Sequence, residues 1–236
     1  MKSKSLLECS RCNARETNIF CRLGANHAGR PANVKTNRVY QKKQSLYYEG
    51  APTQGIYCLH SGEAKIFKTS SQGKQHILRI AHAGQILGLE DVFYRQDYST
   101  SAEMIGEGTV CFIDKAAVME TVRISPETAV AVIRELSEEV VASEEERVEL
   151  AQSTVRERMA RLLAVLAESH GSPFRGGVQI QLPLSREEMA EMIGTASETA
   201  MRLLKEFRDD HLVQVRGREI TILNRARLMQ VAHIIP

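Results

Sequence analysis

The sequence predicts an α+β chain in which a β-roll, a long helix and a C-terminal winged helix-turn-helix follow one another behind a short cysteine-bearing segment. Three observations carry that expectation. Short strand-like runs broken by glycine fill the stretch from Lys35 to Val122, a helical stripe opens at Ser125-Pro126, and two short helical segments lie close together near the C-terminus. The resulting boundaries are 1–34 for the cysteine segment, 35–124 for the roll, 125–152 for a dimerisation helix and 153–236 for the winged helix-turn-helix domain.

Bulk properties set the frame. The chain has 236 residues, 43% hydrophobic and 25% charged, which suits two modest globular domains and argues against disorder. A formal net charge of +2 decides nothing about nucleic acid, because the placement of the basic residues matters more than their sum. Residues 1–8 carry two lysines without a signal-peptide core, and no later run is apolar for long enough to span a bilayer. A cytoplasmic protein with no membrane partner is therefore expected. No thiol–base pair, nucleotide loop or acid pair stands out, so an enzyme is not expected.

The cysteines are odd in number, five, and crowd the N-terminus. Cys9 and Cys12 enclose two residues and Cys21 follows after eight more, with Arg11, Arg15 and Arg22 nearby to favour thiolates. In a reducing compartment that pattern points to metal or redox chemistry rather than disulfides. A fourth ligand would have to come from Cys111, Cys58 or His27, and a zinc site using His27 fits the same spacing. Cys58, between Tyr57 and Leu59, reads as a small buried hydrophobe.

From Lys35 onward the runs SLYYEG, GIYCLHSGEAKIFKT, KQHILRIA, GQILGLEDVF and TSAEMIGEGTVCFID read as short strands of an antiparallel barrel or roll. Ser71 to Lys74 forms a hairpin turn in which Gly73 supplies positive φ.

Ser125 to Glu168 can form one nearly continuous helix, with Ser125 capping it and Pro126 in its first turn. Ala129, Ile133, Leu136, Val140, Ser143, Arg147 and Leu150 recur at close to three and a half residues, the spacing of a two-helix seam. A single amphipathic helix lying on its own domain fits the same periodicity. In a parallel pair, Glu139 of one copy would face Glu144 of the other, so the expected homodimer is deliberately weak.

Beyond it, Gly171, Pro173, Gly176 and Gly177 break the chain before a short strand pair in VQIQLPL. Ser185 followed by Glu188 is a capping box that starts a helix ending near Met192, and Gly194 permits a tight turn into a second helix from Ser197 to about Asp209. On that second helix Ala200, Leu203, Leu204 and Phe207 form the apolar face, leaving Ser197, Glu198, Met201, Arg202 and Lys205 opposite. Glu198 can accept from cytosine N4 and Arg202 can fork onto guanine O6 and N7. HLVQVRGREITIL reads as a wing hairpin turning at Arg216-Gly217, and Thr199, Lys205, Arg208, Arg216 and Arg218 are candidate phosphate contacts.

The stretch YYEGAPTQGIYCLHSGEAKIFKTSSQGKQHILRIAHAGQILG resembles the β-roll of the Crp/Fnr transcription regulators, a cyclic-nucleotide-binding-domain-like fold, and the likeness continues through SETAMRLLKEF to the C-terminus. The resemblance implies a homodimer that binds an inverted repeat in double-stranded DNA and works with RNA polymerase, with Glu198 and Arg202 as base readers. Nucleotide-binding members follow a Gly-Glu pair with an Arg-Ser pair. This chain has Gly88-Leu89-Glu90, and then Thr100-Ser101-Ala102 without the arginine, which argues against a cyclic nucleotide. Oxygen-sensing members carry an N-terminal cysteine cluster and one cysteine late in the roll, where Cys111 falls. By that resemblance Cys9, Cys12, Cys21 and Cys111 hold a [4Fe-4S] cluster, although the spacer before Cys21 is longer than in the best-known pattern. A cluster-free regulator of the same fold, answering to another effector or constitutively dimeric, is the alternative.

Overall fold

A computed structural model describes residues 19–20, 35–181, 184–217 and 219–234. Cys9, Cys12, Cys21, His27 and Arg218 lie outside the described residues. Two compact units emerge: one holds the roll and continues to Val141, and the other holds Ala142 onward together with Gln75–Ile77.

The first unit is built on strands β1 (Lys35–Tyr40), β2 (Ser45–Tyr47), β3 (Gly55–Ser61), β4 (Ala64–Thr69), β5 (Gln75–Ala81), β6 (Ile86–Leu87), β7 (Ser101–Met104) and β8 (Gly108–Asp114). They form two antiparallel sheets, in the orders β1-β8-β3-β6 and β2-β7-β4-β5. Strand β3 is buried on both sides, which explains why it reads as an apolar run rather than an alternation. Leu59 enters the interior cluster with Leu46, Ile66, Tyr98 and Met104, whereas Ile56 and Cys58 enter a second cluster.

That second cluster is covered by helices α1 (Leu89–Tyr94), α2 (Lys115–Ile124) and the start of α3 (Pro126–Gln152). Leu89 and Val92, Val118, and Val132 with the flanking Leu136 are their respective contributions. Two differences from the sequence reading appear here. The segment after Gly88, expected to be strand, is helix α1, because Glu90 and Asp91 occupy its first turn and only Ile86–Leu87 pairs in the sheet. Strand β1, which no glycine-bounded apolar run announced, pairs along its whole length with Gly108 to Ile113 of β8.

Helix α3 starts as expected, with the Ser125 Oγ accepting from Thr128 N–H at 3.2 Å. The nearly continuous stretch to Glu168 is divided at the expected boundary after residue 152. Helix α3 stops at Gln152 and α4 (Val155–His170) begins after a two-residue break, where Thr154 and Glu157 form a reciprocal capping box. The second unit completes itself with β9 (Gly171–Phe174), β10 (Gly177–Ile180), α5 (Arg186–Met192), α6 (Ser197–Asp209), β11 (Val213–Arg216), β12 (Glu219–Ile222) and α7 (Arg225–Val231). Its sheet runs β11-β12-β10-β9. The strand pair expected within VQIQLPL is instead β9 with β10, so Pro173 sits in a strand. It is tolerated there because β9 is the edge.

Candidate nucleic-acid interface and cysteine-bearing core

Helices α5 and α6 form the helix-turn-helix. The Ser185 Oγ accepts from Glu188 N–H at 3.1 Å and Glu188 Oε2 accepts from Ser185 N–H at 2.8 Å, so the capping box closes in both directions. At the other end of α5 Gly194 takes φ +63, and Thr195 N–H returns to the Ala190 carbonyl at 3.0 Å. A side chain with a Cβ would strain that left-handed position. Ala200, Leu203, Leu204 and Phe207 are all buried, fixing the rotation of α6 about its axis.

The opposite side of α6 is open. Glu198, Met201, Arg202, Lys205 and Arg208 are exposed, and Ser197 and Thr199 are half-buried. Arg202 approaches Glu206 only at 3.9 Å, with most of its side chain in solvent, so that contact holds it weakly. Arg208 instead bonds to the neighbouring Asp209 at 2.9 Å, which offsets its charge toward a phosphate. Arg216 is exposed at the end of β11, and Gly217 turns with φ +59. One residue the sequence reading missed is Arg186, whose Nη2 donates to the Gly217 carbonyl at 2.8 Å and ties the wing turn to α5. A cation in the first turn of a helix opposes the helix dipole, and that signal was available.

The seam residues on α3 divide. Ile133 is 62% exposed, and Val140, Arg147 and Leu150 are also exposed. Leu136 and Ser143 are half-buried, and Leu136 packs against the second cluster of its own unit. Val130, Val141 and Val148 add exposed apolar surface that the strict heptad left out. The expected repulsion between Glu139 and Glu144 changes character, because the Arg79 Nη2 lies 3.1 Å from Glu139 Oε1 within the same unit. Arg79 shares the inward face of β5 with Ala81, so the roll contains a cation away from Thr100-Ser101-Ala102. Glu90 is nearby, and burial followed by the Glu139 charge pushes its carboxyl up to about 7. Tyr47 is buried in the same region, which raises its phenol.

The cysteine-bearing core lies on the other side of β3 and β8. Cys58 is 1% and Cys111 7% exposed. Both belong to the cluster under α1, α2 and α3, and Phe20 enters the same cluster, 3% exposed. Phe20 immediately precedes Cys21 in the chain. Among the described residues, no helix is long and apolar enough to cross a membrane.

Residues 37–125 match the family "Cyclic nucleotide-binding domain" and residues 157–231 match "Crp-like helix-turn-helix domain". The chain is 23% identical to the Electron transport regulator A of Shewanella oneidensis over 96% of its length and 90% of that protein's. It is 25% identical to the Fumarate and nitrate reduction regulatory protein of Vibrio cholerae, over 85% of this chain and 80% of that one. The solved structure of FixK2 from Bradyrhizobium japonicum superposes with a TM-score of 0.73 at 24% identity, over 84% of this chain and 97% of that one.

Proposed function

Starting from the fact that the chain belongs to the Crp/Fnr family of DNA-binding transcription regulators, we propose that it is an oxygen- or redox-responsive member whose signal controls pairing of two copies on an inverted repeat. Cys9, Cys12, Cys21 and Cys111 would hold a [4Fe-4S] cluster; four thiolates are the donor set such a group takes. Cys111 fits that role, since it is buried among apolar side chains that shield a metal centre from water. When bound, the cluster supplies an inorganic centre that oxygen can oxidise and dismantle.

Support comes from one cluster of side chains. Phe20, next in sequence to Cys21, is packed with Cys111 and with Val132 of the long helix. Phe20, the internal cysteine and the helix that carries the seam therefore share a core. Phe20 held in this cluster would steady the start of α3, favouring contact through Ile133, Val140 and Leu150. In the pair, each α6 enters a major groove, with Glu198 and Arg202 reading bases and Lys205, Arg216 and Arg218 meeting phosphates. RNA polymerase is the further partner that family membership suggests.

A second reading, a cluster-free regulator answering to an effector in the roll, draws support from Arg79. Its pairing with Glu139 joins the roll interior to α3 without any cysteine. One comparison separates the two. Operator binding by the purified chain is measured with and without air, alongside the variant in which Cys9, Cys12, Cys21 and Cys111 are all serine, with iron and zinc assayed in each sample. Tighter binding without air, iron in the wild type and weak binding by the variant support the cluster. Equal binding in every sample removes the sensing role, and stoichiometric zinc assigns the thiols to the other metal.

A further inference from the structure

We infer that Arg158 sets the half-site spacing this chain reads, by fixing the helix-turn-helix on the end of the long helix. The inference rests on the reading that two copies bind an inverted repeat. Its basis is a double contact. The Arg158 Nε donates to the Ile193 carbonyl at 2.9 Å and its Nη1 donates to the Ser153 carbonyl at 2.6 Å. Ile193 ends α5 and leads into the turn before α6, and Ser153 lies in the break after α3.

Both acceptors belong to the class of helix-end carbonyls that no residue of their own helix satisfies, and both sit at the negative end of a helix dipole. One half-buried guanidinium answers both. Its rigid fork fixes the angle between the two carbonyls, which the single point charge of a lysine cannot do. Without that fork the break keeps only local bonds, such as the Thr154–Glu157 capping box and the Ser153 N–H to the Glu149 carbonyl at 2.8 Å, and loses its direct tie to the end of α5, so the reader could turn on the end of α3.

Neighbouring arginines reinforce the mounting one side at a time. Arg156 Nη2 reaches Asp210 just past α6 at 2.9 Å and its Cζ lies 5.1 Å from the centroid of the Phe207 ring, and Arg161 Nε reaches Glu149 on α3 at 2.9 Å. Each of those ion pairs is partly solvated and links α4 to a single element, so each contributes little alone. Arg158 joins the two sides directly.

The distance between two reading helices in a dimer depends on how each reader is mounted, and operators space their half-sites to match. Arg158 is thus a positioning residue for spacing, not a contact to DNA. The test uses the full chain and the inverted repeat that wild type itself selects from a random duplex library. That repeat is remade with its spacer longer or shorter by one or two base pairs, and as a lone half-site. Wild type should lose about tenfold in affinity for each change of spacer, whereas Arg158→Gln should vary by less than about threefold across the series. Its affinity for the lone half-site should stay within about threefold of wild type.

Should Arg158→Gln not fold, Arg158→Lys carries the test, with a spacer dependence between those of wild type and a flat response. Wild-type spacer dependence in whichever variant folds overturns the inference. So does a loss on the lone half-site as large as on the full repeat, since that would mean damage inside the reader. If wild type selects only a lone half-site, or ignores its spacer, the inverted-repeat reading falls and takes this role with it; spacer dependence in wild type that the variants retain sinks the role of Arg158 alone.

Discussion

Cys58 and Cys111 stand directly opposite each other on β3 and β8, and directly opposed residues in an antiparallel pair project to the same face. They are not equivalent. Cys58 has 1% of its surface exposed and lies on a strand flanked by β8 and β6, whereas Cys111 keeps 7% and lies on the strand between β1 and β3.

A pair of substitutions separates their roles. Cys111→Ser should remove most of the iron from anaerobically purified protein, since a four-thiolate site would be left with three. Cys58→Ala should keep the iron and cost about 1 kcal/mol of stability, the scale for deleting a small buried group. Iron content and thermal melting measure both, and iron loss in Cys58→Ala alone would reverse the assignment.

On the open side of α6, exposure of Glu198 and Arg202 next to a buried Ala200, with the proposed base-reading role, predicts a loss confined to particular base pairs. Glu198→Ala or Arg202→Ala should cost about 1 to 3 kcal/mol on the cognate site and little on random duplex. Arg216→Ala should weaken both duplexes alike and reduce the salt slope by about one. Titrations at several salt concentrations make the comparison, and equal losses on cognate and random DNA would remove Glu198 and Arg202 from base reading.

Ile133 protrudes from α3 with most of its surface in solvent, so a charge there should leave the fold intact. Ile133→Asp should weaken self-association at least about tenfold, or about 1.4 kcal/mol, with an unchanged melting temperature at concentrations where the chain is monomeric. Sedimentation measures the first and calorimetry the second. Undiminished dimers would move the seam elsewhere on the surface.

The carboxyl of Glu90 predicts a pH dependence of stability. Burial and the Glu139 charge raise it from an ordinary 4.5 to about 7, with Asp91 adding to the rise and Arg79 opposing it; Tyr47 faces it from β2. A group whose folded value is raised gives stability that is fully present below its unfolded value and lost as pH climbs through the folded one. Stability should therefore fall as pH rises from about 4.5 to about 7. Glu90→Gln cannot ionise and should flatten that fall, gaining about 1 to 3 kcal/mol over wild type at the alkaline end. Thermal melts across the range report the difference, and parallel curves for the two proteins would contradict it.

The helix-turn-helix was legible because each of its parts has a local cause: Ser185 and Glu188 cap, Gly194 turns, and the apolar spacing of α6 fixes its buried face. The break after Gln152 was equally local. Thr154 and Glu157 spell a capping box at the expected boundary between 152 and 153. What the sequence could not disclose are relations between distant residues. Arg79 lies about sixty residues from Glu139, and nothing in either neighbourhood marks them as partners. Arg158 is one arginine among several on α4, and its two acceptors are backbone carbonyls that carry no residue signature.

Phe20, Cys111 and Val132 belong to one apolar mass, and under the proposed sensing role this would make the response degenerate in its causes. A shaved methyl on Val132 and an altered sulfur disturb the same joint, so under that role a plain aliphatic substitution that removes no metal ligand should mimic loss of the stimulus. Mutants that ignore the signal are then to be sought beneath the long helix as much as among the thiols.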